Sequence, residues 1–253
     1  MRIKLHLETL KGNLLPFNYE YAISAWIYKT LSDADPVFAT WLHDQGYSLK
    51  NNNKHFKLFT FSQIQAIKPY RVDRRRGIIL ASGEANLTLS FLIDKAMQDF
   101  VIGLFNHQSL HIRIRGGQVS FKIVNVEILP EPTFSPIMKF WTNKPVFMSK
   151  KTADSKHAVY ISPDDQDYKT LIINNLIEKS KALGLDINAS LTDFKSINRP
   201  QSRMYNIDST NVRAFNFDFI IAAPIELIRI GYFGGFGGKN SSLGLGFCEV
   251  IQD

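Results

Sequence analysis

Only one cysteine, Cys248, occurs in 253 residues. A single thiol excludes an intrachain disulfide and a zinc site built on cysteines. Its place in a strand-like segment makes a buried, inert thiol the expected state. No apolar run reaches the length of a membrane span, so no membrane partner is expected. The first eight residues alternate like a strand, with no apolar signal core and no small-residue cleavage site. A cytoplasmic location is the expectation. Of the six histidines only His107 and His111 stand four apart, and they flank a helix-strand turn and do not share a helix face, so no histidine metal site and no cofactor are expected. The GxSxG elbow of serine hydrolases is missing as well.

Glycine is concentrated instead of scarce. Seven of the 15 glycines fall between Gly231 and Gly246. A dense glycine run costs conformational entropy unless backbone geometry or close approach requires it. Residues 225–230 before the run suit the end of a helix, and residues 246–251 after it read as a strand. The run therefore reads as a helix-to-strand loop rich in free N–H groups, carrying Lys239, Ser241 and Ser242. Such a loop suits a polyanion backbone. A nucleotide-binding P-loop fails, because Phe233 stands where the first glycine belongs and Asn240 where Ser or Thr belongs. The dinucleotide pattern fails at Asn240 too.

Formal net charge is +7. Residues 1–130 hold 16 Lys/Arg against 10 Asp/Glu, and residues 131–253 hold 14 against 13. The basic excess of the first half favours an anionic partner, with nucleic acid first. Its densest run, Arg71 with Arg74, Arg75 and Arg76, leads into a strand beside Tyr70. Arginines on such a loop suit phosphates, and the aromatic ring suits base stacking.

In chain order, residues 2–8 read as a strand. Asn18 is the expected N-cap of a helix with Tyr19, Ala22, Ile23, Trp26, Ile27 and Thr30 on its buried stripe. Asp35 and Pro36 open a second helix with Val37, Phe38, Trp41 and Leu42 inward, stopped at Gly46. Residues 56–61 alternate as a strand, and 77–82 with 86–92 suggest a hairpin around Gly83. Ile93, Met97, Phe100, Val101 and Leu104 mark another helix, and strands at 110–115 and 118–129 follow. This half approaches a βαββαβ ferredoxin-like unit with additions. Pro130 and Pro132 suggest a boundary between domains 1–130 and 131–253. The second half is also strand-rich, with a helix through Tyr168, Leu171, Ile172, Leu176 and Leu183 that ends at Gly184. Asp164, Asp165 and Asp167 precede that helix and suit capping and dipole stabilisation better than a metal.

At 100° per residue, Tyr28 falls about 170° from the centre of the first helix's apolar stripe, and Tyr21 shares that outer face. His43 lies about 170° from the centre of the second helix's stripe. Lys50 and Lys54 follow in a polar loop. An imidazole, a phenol and an amine beside an anion-binding surface suit RNA self-cleavage chemistry. The imidazole takes the 2′-OH proton or protonates the leaving 5′-oxygen, and the lysine offsets charge on the phosphate. His55 is the competing imidazole. His107 and His111 flank a helix-strand turn and suit structural roles, and His157 lies in a lysine-rich segment.

The ordered segments Leu15–Tyr19, Trp41–Tyr47 and Phe56–Ser62, with the terminal Gly238–Phe247 stretch, resemble the CRISPR-associated endoribonucleases that process precursor CRISPR RNA. This is the Cas-six family of the RAMP superfamily. The resemblance spans both halves, and the C-terminal glycine signature is its most specific part. It implies an α+β fold of two tandem ferredoxin-like (RRM-like) domains. It also implies metal-independent cleavage of repeat RNA, leaving a 2′,3′-cyclic phosphate and a 5′-hydroxyl. Tyr28 and His43 fall where the family's catalytic tyrosine and histidine are expected. Lys50 is the nearest match for the lysine, and Lys54 is the alternative. The RNA-holding set expected is Lys54, Arg71, Arg74, Arg75, Arg76, Gly237, Gly238, Lys239, Asn240, Ser241 and Ser242. The implied partners are repeat RNA, a CRISPR effector complex and a second copy of the chain as a homodimer. A non-catalytic RNA-binding subunit of an effector complex is the alternative function.

Overall fold

A computed structural model describes residues 1–49, 54–114, 117–150, 159–207, 210–238 and 240–252. The chain forms two compact units, Met1–Asp44 with Phe61–Glu131, and Gln45–Thr60 with Pro132–Asp253. The expected division at 130/131 places residues 45–60 in the first half, whereas by contact they group with the second unit.

In the first unit Ile3, Leu5 and Leu7 are buried and alternate with polar residues, as one half-buried face of a strand requires. Strand Arg2–Lys11 is central. It pairs antiparallel with Gly117–Leu129 on one side and Glu84–Phe91 on the other. Ser109–Ile114 lies beyond Gly117–Leu129, and Gln65–Ala66 lies beyond Glu84–Phe91. Helices α1 (Glu20–Ala34) and α3 (Asp94–Asn106) pack on this sheet's core. Trp26 stands edge-on to Phe100 at 5.4 Å and donates from its indole N–H to the Ser109 carbonyl at 2.9 Å. The two helices touch at Gly103, where a Cβ would stand 1.8 Å from the Thr30 carbonyl oxygen.

Two expected details are corrected here. Asn18 does not cap α1. It adopts φ 60°, and Tyr19 takes the N-cap place with no side-chain cap bond. Helix α2 (Pro36–Asp44) does start as expected, since the Asp35 carboxylate accepts the Phe38 N–H at 2.9 Å. Its buried residues are Ala39 and Leu42, however, and Val37 is 79% exposed. A helix this short buries one narrow stripe, and Val37 lies off it.

The hairpin expected between 77–82 and 86–92 does not form. Gly77–Leu80 pairs with Tyr70–Asp73 and with Leu14–Pro16, in a sheet of its own. The Asp73 carboxylate accepts the Arg75 and Arg76 N–H groups at 2.9 and 3.2 Å. An aspartate that bonds its own backbone two and three residues on closes the turn there, at the arginine run.

In the second unit the sheet order is Asp193–Ser196, Asp218–Ala222, Ile137–Thr142, Cys248–Val250, all antiparallel. Helices α4 (Tyr168–Ala182) and α5 (Ile225–Gly234) form the two crossovers. Phe140, Phe219 and Phe236 meet in its core at centroid distances of 5.1–5.4 Å. Strands Thr210–Asn216 and Asp218–Ala222 follow one another closely, and the first pairs with Gln201–Ile207 as a hairpin. Asp167 does not cap α4 with its side chain but pairs with Lys150. Helix α4 ends at Gly184 as expected, with φ +76°. Cys248 is buried, and its thiol donates to the Gly246 carbonyl at 3.5 Å. Among the described residues no helix is long and apolar enough to cross a membrane.

Candidate functional site

Helices α1 and α2 are joined through Asp35 alone, so the chain reverses tightly and their neighbouring faces meet. Within this unit the Tyr28 and His43 rings touch edge to face, with centroids 4.9 Å apart at 80°. Tyr28 is half-buried by this arrangement and His43 is exposed. The His43 Nδ1 lies 2.8 Å from a carboxylate oxygen of Asp44. An ionised carboxylate only accepts, so Nδ1 carries the proton in this contact and Nε2 is the other ring nitrogen. Sequence reasoning overlooked Asp44, although it is the adjacent residue.

The lysines and the competing histidines are placed differently. Lys50 and His157 lie outside the described residues. The Lys54 ammonium donates to both carboxylate oxygens of Glu178 on α4, at 2.5 and 2.7 Å, within the second unit. His55 is exposed on the two-residue strand His55–Phe56, opposite Ser48. His111 is engaged by Ser109 and Ser120, and His107 approaches Asp33 at 3.9 Å.

The arginine run occupies the tip of the Tyr70–Leu80 hairpin, with Arg71, Arg74, Arg75 and Arg76 all exposed. Tyr70 and Val72 are exposed on the same finger.

The glycine-rich loop corrects the expectation of free N–H groups. Phe236 N–H donates to the Gly246 carbonyl, Gly246 N–H to Pro145, and Gly238 N–H to Phe147, at 2.8–2.9 Å. Leu243 and Leu245 N–H groups return to the Asn240 carbonyl. Gly237 is buried, and Gly238, Asn240, Ser241 and Ser242 are half-buried. Asn240 is left-handed, and Ser241–Leu243 forms a 3₁₀ turn after it. The side chains of Asn240, Ser241 and Ser242 make no hydrogen bond among the described residues and are the groups this turn presents. Lys239 lies outside the described residues.

Beneath the loop sits Lys179, a residue the sequence reading missed. It is fully buried, and its ammonium donates to the Gly235 and Gly237 carbonyls at 2.6 and 3.0 Å. Its spacing from Ile172 and Leu176 puts it on the apolar stripe of α4, which was the available signal. Burial pulls this lysine down to about 7, with Cys248 and Glu178 acting in the opposite direction. In an unfolded chain the same group titrates near ~10.4. Between those values the unfolded chain binds a proton that the native state lacks, so this group makes stability rise with pH. Its contribution is up to ~1.4 kcal/mol per pH unit in that window and flat below about 7. Urea melts of the parent and Lys179→Met from pH 7 to 10 check this. The parent should show the steeper rise, and equal slopes would contradict it.

Among the described residues no three of His, Cys, Asp and Glu come together to hold a metal ion. The family description "CRISPR-associated protein Cas6, N-terminal" matches residues 14–127, and "CRISPR associated protein Cas6, C-terminal" matches residues 129–250. A curated relative from Methanocaldococcus jannaschii, CRISPR-associated endoribonuclease Cas6 1, is 30% identical over 100% of this chain and 94% of its own length. The chain belongs to the Cas6 family. The family resemblance expected from the ordered motifs is thereby confirmed. A solved Cas6-related protein from Pyrococcus furiosus has a similar fold, with a TM-score of 0.83 at 21% identity, covering 100% of this chain and 99% of that one. A solved RAMP protein binding different RNA substrates scores 0.82 at 21% identity over the full length of both chains. Tyr28, His43 and the arginine finger fall within the Cas6 N-terminal match, and the glycine-rich loop and Lys179 fall within the Cas6 C-terminal match.

Proposed function

We propose that this Cas6 family member is an endoribonuclease that cuts CRISPR repeat RNA to mature crRNA in the cytoplasm, without a metal. Two tandem ferredoxin-like domains carry it. That reading is supported by an arrangement common to both units, in which the first strand lies between the strand that precedes the last helix and one that follows it, with Ser109–Ile114 an addition at the edge of the first unit's sheet. The observation that carries the function is the contact of Tyr28 and His43 on consecutive helices, with the Asp44 carboxylate on Nδ1. The relative from M. jannaschii is named an endoribonuclease, which agrees with it.

In the proposed step the 2′-oxygen attacks the adjacent phosphorus as its proton leaves to a base. The P–O5′ bond breaks, and the 5′-oxygen takes up a proton. The products are a 2′,3′-cyclic phosphate and a 5′-hydroxyl. His43 Nε2 is the atom that takes or gives the proton, and Tyr28 orients the ring or the sugar-phosphate. Lys50, with Lys54 as its alternative, offsets the charge that grows on the phosphate. The arginine finger and the Asn240–Ser242 turn hold the RNA backbone.

A second reading, a repeat-RNA-binding subunit that does not cut, is favoured by the grip of Glu178 on Lys54. The two are separated by incubating the purified chain with its own repeat RNA in EDTA. Cleavage to fragments ending in a cyclic phosphate supports the enzyme. Tight binding with intact RNA supports the subunit.

A further inference from the structure

The outer face of α1 carries groups that no contact among the described residues explains. Tyr21 is 69% exposed, and Ala25 and Lys29 are exposed on the same helix. These three stand at i, i+4 and i+8, one of the rows that run along a helix surface. Neither Tyr21 nor Lys29 makes a hydrogen bond, ion pair or ring contact with another described residue. Tyr28 comes seven residues after Tyr21, so the two point within about 20° of each other, and Tyr28 is the residue that touches His43. An aromatic plate, a methyl-sized gap and a cation thus lie in a line beside the candidate site.

We propose that the Tyr21–Ala25–Lys29 row is the track along which single-stranded repeat RNA reaches His43, with one base stacked on Tyr21 and a phosphate at Lys29. It rests on the reading of His43 and Tyr28 as the RNA-cutting pair. Every base has a face that stacks on an aromatic ring, and a phosphate strand needs cations at intervals, so an alternation of ring and ammonium suits single-stranded nucleic acid. The length agrees. Eight residues of helix rise about 12 Å, and a stacked strand covers that in three to four steps of about 3.4 Å. Ala25 leaves the backbone of the helix low between the two, where a bulky side chain would lift the strand away. The basic excess of residues 1–130, 16 Lys/Arg against 10 Asp/Glu, favours the same occupant over an acid-poor peptide.

The test uses the chain with His43→Ala, which keeps the RNA intact, and measures affinity for repeat RNA at several salt concentrations. Tyr21→Ala should weaken binding by ~10-fold or more, and Tyr21→Phe should not. The Tyr21→Ala loss should vanish on RNA made abasic at one position, since the stacked base is then already gone. Lys29→Met should reduce the slope of log affinity against log salt by ~0.7, the share of one single-strand phosphate contact. The track is overturned by a Tyr21→Ala loss that is the same on every abasic RNA, or by an unchanged slope with Lys29→Met. Repeat RNA that binds normally but ignores both variants removes the track and leaves the proposed activity standing. A parent chain that binds no repeat RNA removes both.

Discussion

His43→Ala should slow cleavage of repeat RNA by ~10²–10⁴-fold while changing RNA affinity by less than ~3-fold. General acid–base catalysis by a positioned imidazole contributes a factor of that size. The side chain is exposed at the end of α2, so its removal leaves no buried cavity and the fold should persist. The affinity should hold because the groups proposed to grip RNA, Arg74–Arg76 and Asn240–Ser242, lie on other elements. Asp44→Asn is the informative companion. The amide can still approach Nδ1 but no longer dictates that Nδ1 carries the proton, so the loss should be smaller and the pH–rate profile should move. Single-turnover cleavage at several pH values reads both. A His43→Ala chain that cuts at the parental rate contradicts the assignment and makes His55 the candidate imidazole.

Gly246→Ala should destabilise the second unit by ~3–5 kcal/mol or leave it unfolded. Three observations add at this residue. A Cβ there would lie 1.8 Å from the Phe236 carbonyl oxygen and 3.0 Å from the Phe236 nitrogen. The φ of +79° is strained for an L side chain, which alone costs ~1–3 kcal/mol. The Gly246 carbonyl also accepts the Phe236 N–H at 2.9 Å, so moving the backbone to admit the methyl breaks a buried bond. Gly238→Ala is the control, because its nearest neighbour is 3.6 Å away and no left-handed φ is needed. It should change stability by less than ~1 kcal/mol. Chemical denaturation of both variants checks the contrast, and a Gly246→Ala chain as stable as Gly238→Ala would contradict it.

That contrast also marks where the sequence stopped being readable. The helical period was enough to turn Tyr28 and His43 out of their buried stripes, because a 100° step is a local property that packing of α1 and α2 preserved. It was not enough for Val37, since nothing local says how narrow a strip a nine-residue helix buries. The glycine run was legible as a helix-to-strand loop. Its hydrogen bonding was not, because Phe236 and Gly246 meet only once α5 and the last strand are docked. A loop expected to offer N–H groups outward spends several of them on itself and offers Asn240, Ser241 and Ser242 instead. The arginine hairpin was half legible. The turn chemistry of Asp73 is local, but the pairing of Gly77–Leu80 with Leu14–Pro16 joins segments far apart in the sequence. Lys179 was overlooked because a lone lysine in an apolar stripe suggests exposure, whereas the glycine-loop carbonyls provide the partners that make its burial tolerable.

The most direct measurement is cleavage of the organism's own repeat RNA in EDTA, with single 2′-deoxy substitutions scanned along the repeat. The account predicts that one deoxy position alone stops cutting, and that the uncut bond lies immediately 3′ of it. It predicts a cyclic phosphate on the upstream fragment. Cutting that survives every single deoxy substitution would mean the nucleophile is not the RNA's own hydroxyl, and the chemistry assigned to His43 and Tyr28 would fall.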